Sequence, residues 1–200
     1  MKKVLLGTVI GGVLLFLWGA VSHMFFPFAN DSLNRFANEE AVIQTLKENA
    51  PTSGIYFLPY VPMTQSSMSD SQFKSIQEAA QKKLQQGPFM LASVRMGEMG
   101  SYGTYFIVQL ITDMLSALFV CLVLLSLKEL SYLKQVGMCV MIALAGFAAQ
   151  TLPQWNWYSF SNAFTFAELF DLVFGFFFAG LGMAKVVGRK NLQPATHIVG

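Results

Sequence analysis

The sequence predicts an all-α transmembrane four-helix bundle carrying a small α+β extracytoplasmic cap between its first and second spans. Three observations carry this prediction. Four apolar stretches each approach or exceed the ~20 residues that cross a bilayer as a helix. Charged residues make up only 12% of the 200-residue chain, about half of the ~25% usual in soluble domains. The one long polar interval, residues 29–101, falls between the first and second apolar stretches. The expected order is therefore an N-terminal anchor (1–28), an extracytoplasmic cap (29–101), three transmembrane helices (102–187) and a cytoplasmic tail (188–200).

Residues 1–28 place Lys2 and Lys3 ahead of an apolar run of helix length, a positive flank on a span. Ala20-Val21-Ser22 would serve as a signal-peptide cleavage site. The apolar run continues through Phe26, and Trp18 stands where an interfacial anchor would, so an uncleaved anchor is favoured. Either way the next residues reach the same side of the membrane.

In the cap, Asn38-Glu39-Glu40 reads as a capped helix start with acids in the first turn, ending before Pro51. Ile55–Tyr60 and Phe89–Met96 read as strands, and Ser53-Gly54 as the turn before the first of them. Between them Phe73, Ile76, Ala80 and Leu84 mark one face of a helix over Gln72–Gln86, stopped by Gly87-Pro88. About seventy residues of this kind are marginal alone, so the cap is expected to lean on the spans or on another protein.

The second span is expected over Tyr102–Leu127 and the third over Gln135–Leu152, with Pro153 closing it. Gln154–Phe160, rich in Trp and Tyr, reads as an aromatic loop at headgroup depth. The fourth span follows over Ala163–Val187, with small residues Gly175, Ala179, Gly180 and Gly182 offering a weak helix-contact signal. With four crossings, Lys2, Lys3, Lys128, Lys134, Lys185, Arg189 and Lys190 share one side. Positive residues stay inside, so both termini are expected in the cytoplasm and the cap outside.

Six polar side chains fall at membrane depth: His23, Gln109, Asp113, Gln150, Glu168 and Asp171. At about 1.5 Å per residue, Asp113 lies roughly 16 Å from the outer end of its span, Gln109 roughly 10 Å and Asp171 roughly 12 Å. Gln109 and Asp113, and Glu168 and Asp171, are spaced to share a helix face. A carboxyl group at that depth requires a polar partner, a wet cavity or a proton. The sharp expectation is a pocket opening outward, able to take a metal, relay protons or seat a polar ligand. The plain alternative is interhelical hydrogen bonding, with Thr165-x-x-Glu168 acting only as a capping box. Met96-x-x-Met99 offers thioethers to monovalent copper, although methionine more commonly fills apolar contact surfaces.

Other chemistry is excluded by what the chain lacks. The net charge of +2 gives no footprint for nucleic acid. Cys121 and Cys139 lie inside apolar runs without metal spacing. There is no P-loop, G-x-S-x-G, H-E-x-x-H or dinucleotide fingerprint. No cofactor is expected, and an enzyme is not the favoured class. The segment Trp155–Phe160 followed by Phe164-Thr165-x-Ala167-Glu168-x-x-Asp171 resembles small four-span bacterial inner-membrane proteins, which implies an inner-membrane setting and transfers no activity. The expected function is a non-enzymatic accessory, assembly or interaction subunit. Its expected partners are the lipid bilayer and a membrane protein or a second copy of itself. A small transporter or ion-handling protein using the intramembrane carboxylates is the alternative.

Overall fold

The structure is a computed structural model and describes residues 2–27, 31–65 and 68–187. The tail with Arg189 and Lys190 lies outside the described residues. In chain order the elements are α1 (Lys2–Phe25), α2 (Glu39–Asn49), β1 (Gly54–Leu58), α3 (Asp70–Gln86), β2 (Met90–Val94), α4 (Tyr102–Ser126), α5 (Tyr132–Tyr158) and α6 (Asn162–Val187). They form two compact units. One is Arg35–Met99, and the other joins the chain up to Asn34 with the chain from Gly100 on.

Within Arg35–Met99, Asn38 caps α2 by accepting from the Ala41 N–H at 3.0 Å. Helix α3 begins two residues earlier than expected, because Ser69 and Gln72 form a reciprocal capping box. Strands β1 and β2 pair antiparallel with Gly54 opposite Val94 and Leu58 opposite Met90. Both end two residues short of the expected limits, Tyr60 and Met96. Phe57 and Phe89 meet edge to face at 5.1 Å. Among the described residues of this unit the buried apolar ones are Ala50, Pro59 and Ala80, so its core is thin.

The other unit holds α1, α4, α5 and α6, each long and apolar enough to cross a membrane. Their 24 to 27 residues correspond to about 36–40 Å of helix. Two expected boundaries are corrected here. Pro153 does not close the third apolar helix. It lies inside α5, which runs on to Tyr158. Proline forfeits only its own N–H bond and crowds one carbonyl, and the residues after it resume the ladder. Gln154–Tyr158 is therefore helix rather than aromatic loop. The turn comes at Ser159, in the left-handed conformation (φ 58), with the Phe160 N–H reaching the Gln154 carbonyl at 3.4 Å. The second correction concerns α6, which starts at Asn162 with Ser161 as its cap: Ser161 Oγ accepts from the Phe164 N–H at 3.1 Å. Thr165 spends its hydroxyl on the Ser161 carbonyl, so Thr165 and Glu168 form no capping box and Glu168 lies in the second helical turn.

Helix α1 packs along both α4 and α6, and α5 packs along α6. Helices α4 and α5 have little contact despite their short connection. The four helices thus form an open array rather than a closed square. The α4–α5 turn is tied down by Gln135, which is buried and donates to the Leu130 carbonyl at 3.0 Å. The core gathers at one end of the array, where Ala117, Cys121 and Leu124 of α4 meet Cys139 of α5 and Ala179, Met183 and Val187 of α6. Lys2, Lys3, Lys128, Lys134 and Lys185 belong to this same end, called below the basic end.

Glycine makes that packing possible. A Cβ on Gly7 would lie 2.8 Å from Cys121 Sγ, one on Gly11 2.5 Å from Met183 Sδ, and one on Gly12 2.8 Å from Met114 Cα. Gly7-x-x-x-Gly11 is a small-residue spacing that lets helix backbones approach closely. The sequence signal for it was present on α1, while the expectation had placed close contact only on the fourth span.

Candidate functional site

At the basic end small residues draw α1, α4 and α6 together. Toward the far end the side chains grow. Phe16 of α1 meets Phe106 of α4 edge to face at 6.4 Å, and Trp18 faces α6. The result is a cleft of about 490 Å³ with α1 as its floor and α4 and α6 as its walls.

Four of the six expected polar residues line this cleft: His23, Gln109, Asp113 and Asp171. Asp113 accepts from Gln109 Nε2 at 3.0 Å, the pair that four-residue spacing placed on one face. Across from it, Asp171 Oδ1 accepts from Ser22 Oγ at 2.5 Å. Ser22 is 1% exposed, so this bond is made away from solvent and has a charged or strongly polar acceptor. The Asp171 backbone carbonyl accepts from the Trp18 indole N–H at 3.0 Å. Two bonds from α1 therefore hold one residue of α6.

His23 Nδ1 lies 3.0 Å from the Gly19 carbonyl and 3.1 Å from Ser22 Oγ. A carbonyl only accepts, so the bonding pattern assigns the proton to Nδ1 and leaves Nε2 as the outward nitrogen. Ser22 then stands between the imidazole and the Asp171 carboxyl, donating to the latter. Ser116, also on the cleft, turns its hydroxyl back to the Thr112 carbonyl at 3.0 Å.

Glu168 lines a smaller neighbouring pocket of about 100 Å³ together with Ser22, His23 and Asp171. His23 and Asp171 thus border both spaces. Asp171 lies within electrostatic reach of both Asp113 and Glu168, and His23 within reach of Glu168. Gln150 lines neither space. It is exposed on α5, which packs on α6 away from the α1 floor. Convergence of all six residues required a closed bundle, and the open array leaves Gln150 outside.

Among the described residues no three His, Cys, Asp or Glu side chains come together in a way that could hold a metal ion. Met96 and Met99 follow β2 in irregular chain and are exposed. Two contributors were missed at the level of sequence. Ser22 was considered only as part of a cleavage site, although a hydroxyl beside His23 in an apolar run is itself a signal. Trp18 was expected at an interface, yet it packs among Phe26, Phe170, Phe174 and Phe178 at centroid distances of 5.1–6.0 Å.

No family model matches the chain, and comparison with curated proteins and with solved structures likewise finds no match. Four helices of spanning length suggest a multi-pass membrane protein.

Proposed function

We propose that this chain is an inner-membrane protein of bacterial type that handles protons or cations at the carboxylate-lined cleft. The supporting observation is that Asp113 and Asp171 sit on facing walls of one cleft, joined by His23 and two amide or hydroxyl donors, instead of standing apart toward lipid. Acids at membrane depth are costly, and convergence on a cavity is the arrangement that makes them useful for binding or relaying positive charge. The grouping of Lys2, Lys3, Lys128, Lys134 and Lys185 at one end favours that end as cytoplasmic. Both termini then lie inside, and residues 29–101 lie outside.

Reconstitution into vesicles under an imposed potential tests this. Proton or cation flux, followed with a trapped pH dye and with radioactive sodium, is expected above that of empty vesicles. Asp113→Asn is expected to remove it while leaving helicity unchanged, because an amide at 113 still pairs with Gln109. Wild-type flux in that variant would sink the proposal.

A second reading, an accessory or interaction subunit, is favoured by the Arg35–Met99 unit. Its about 65 residues are marginal for independent stability. Ile55 is 76% exposed and Met63 85% exposed on that thin core. Extraction from native membranes in mild detergent is expected to yield a species larger than the monomer, reduced to monomer size by Ile55→Asp or Met63→Asp. A monodisperse monomer before any substitution would overturn it.

A further inference from the structure

The cleft differs from an inorganic-ion site in three physical respects. Its volume of about 490 Å³ falls in the ~300–1,000 Å³ range of small-molecule pockets, far beyond what a dehydrated ion fills. Its lining is chiefly apolar and aromatic, with Phe16 on the floor, Phe106 on one wall and Phe176 and Leu172 on the other. And its polar groups, Gln109, His23 and Ser116 among them, include carboxyls on facing walls, while no lysine or arginine among the described residues lines it. The lysines of α1 and α6 lie at the basic end, away from Asp113 and Asp171.

These features select among ligands. An anion would meet two carboxyls with only the His23 imidazole to set against them. A sugar or other highly polar molecule would leave its hydroxyls against phenylalanine, at a cost of unmade hydrogen bonds. A small hydrated ion would leave most of the cavity unfilled. A molecule with an apolar body and one positive charge satisfies both kinds of wall at once. The body meets the aromatic rings, whose faces also attract cations, and the charge meets the carboxyls.

We infer that the cleft between α1, α4 and α6 binds hydrophobic organic monocations, with the apolar body against Phe16, Phe106 and Phe176 and the charge between Asp113 and Asp171. This rests on the proposed carboxylate function and names the class of cation that the same cleft takes.

The test uses the full chain in detergent micelles and two probes of equal size and opposite charge, tetraphenylphosphonium and tetraphenylborate. Equilibrium dialysis against empty micelles is expected to show saturable binding of the phosphonium at one per chain and no saturable binding of the borate. Asp113→Asn and Asp171→Asn are each expected to weaken phosphonium binding by about tenfold or more, the loss of roughly one ion-pair contribution. Gln150→Ala, outside the cleft, is expected to bind as wild type. Should Asp171→Asn fail to fold after losing its Ser22 contact, Asp113→Asn decides alone. Equal binding of both probes, or unchanged phosphonium binding in Asp113→Asn, overturns the inference. Absence of phosphonium binding with Asp113-dependent flux intact overturns the ligand class and leaves the proposed function standing. Phosphonium binding without Asp113-dependent flux overturns the proposed function and leaves the binding site standing.

Discussion

Gly12→Leu is expected to destabilise the fold by about 1–3 kcal/mol, at the upper end of that range for overpacking, because the obstacle is backbone. A Cβ at residue 12 would sit 2.6 Å from Met114 Cγ, 2.8 Å from Met114 Cα and 3.0 Å from Met114 N. A side-chain tip can rotate away; a Cα and an amide nitrogen in the middle of a helix cannot. Helix α1 must then back off from α4. Gly137 and Gly146 on α5 provide the internal comparison, since a Cβ on either meets nothing within 4 Å. Gly137→Ala and Gly146→Ala are expected to be neutral or slightly stabilising, as loss of helical glycine usually is. Unfolding by sodium dodecyl sulfate in mixed micelles, followed by circular dichroism, reads the difference. A midpoint for Gly12→Leu equal to that of Gly146→Ala would show that α1 and α4 do not approach this closely. The same substitution should disturb the cleft, because α1 is its floor and carries Ser22 to Asp171.

Trp18→Ala is expected to cost about 3 kcal/mol, near the lower end for loss of a large aromatic side chain. In a membrane the hydrophobic part of that cost largely vanishes, since lipid is as apolar as the protein interior. What remains is contact and geometry. The indole stacks on Phe174 at 5.7 Å and touches Phe26, Phe170 and Phe178. Each such aromatic pair contributes about 0.5–1.5 kcal/mol beyond area. Its N–H also donates to the Asp171 carbonyl at 3.0 Å, a bond worth about 1 kcal/mol. Trp18→Phe separates the two contributions: it keeps a ring in the stack and drops the bond, so about 1 kcal/mol is expected. The same mixed-micelle unfolding measures both. Equal, near-zero losses in the two variants would mean that Trp18 faces lipid and leaves α6 unanchored. In that case the position of Asp171 would have to be set by Ser22 alone.

Much of the architecture was legible from local properties. The lengths of α1, α4 and α6 followed from runs of apolar residues, and α2 from Asn38-Glu39-Glu40. The antiparallel strands were placed to within two residues of their ends. The failures share a physical cause. Pro153 reads as a stop because proline breaks an isolated helix; in an apolar helix the lost bond is tolerated, and α5 continues for more than a turn. Thr165 and Glu168 carried the spacing of a capping box, but Ser161, four residues earlier, took the cap and left Glu168 at the side of a pocket. Ser69 moved the start of α3 forward for the same reason, a side chain claiming backbone donors ahead of the apolar period.

The candidate site shows the division most clearly. Sequence alone determined that four helices are long and apolar, that the lysines of those helices and of the α4–α5 turn cluster at one end, and that Asp113, Glu168 and Asp171 lie well inside their helices, away from that end. Those properties depend on composition and on a rise of about 1.5 Å per residue, which neighbours do not alter. Tertiary structure decided which of the polar groups meet. Ser22 and Trp18 reach Asp171 because glycines at positions 7, 11 and 12 let α1 lie close between α4 and α6. Gln150 is excluded because α5 packs chiefly along α6, away from the α1 floor. Depth is additive along one helix, whereas convergence is set by where separate helices cross, and that is fixed by contacts between residues more than a hundred positions apart.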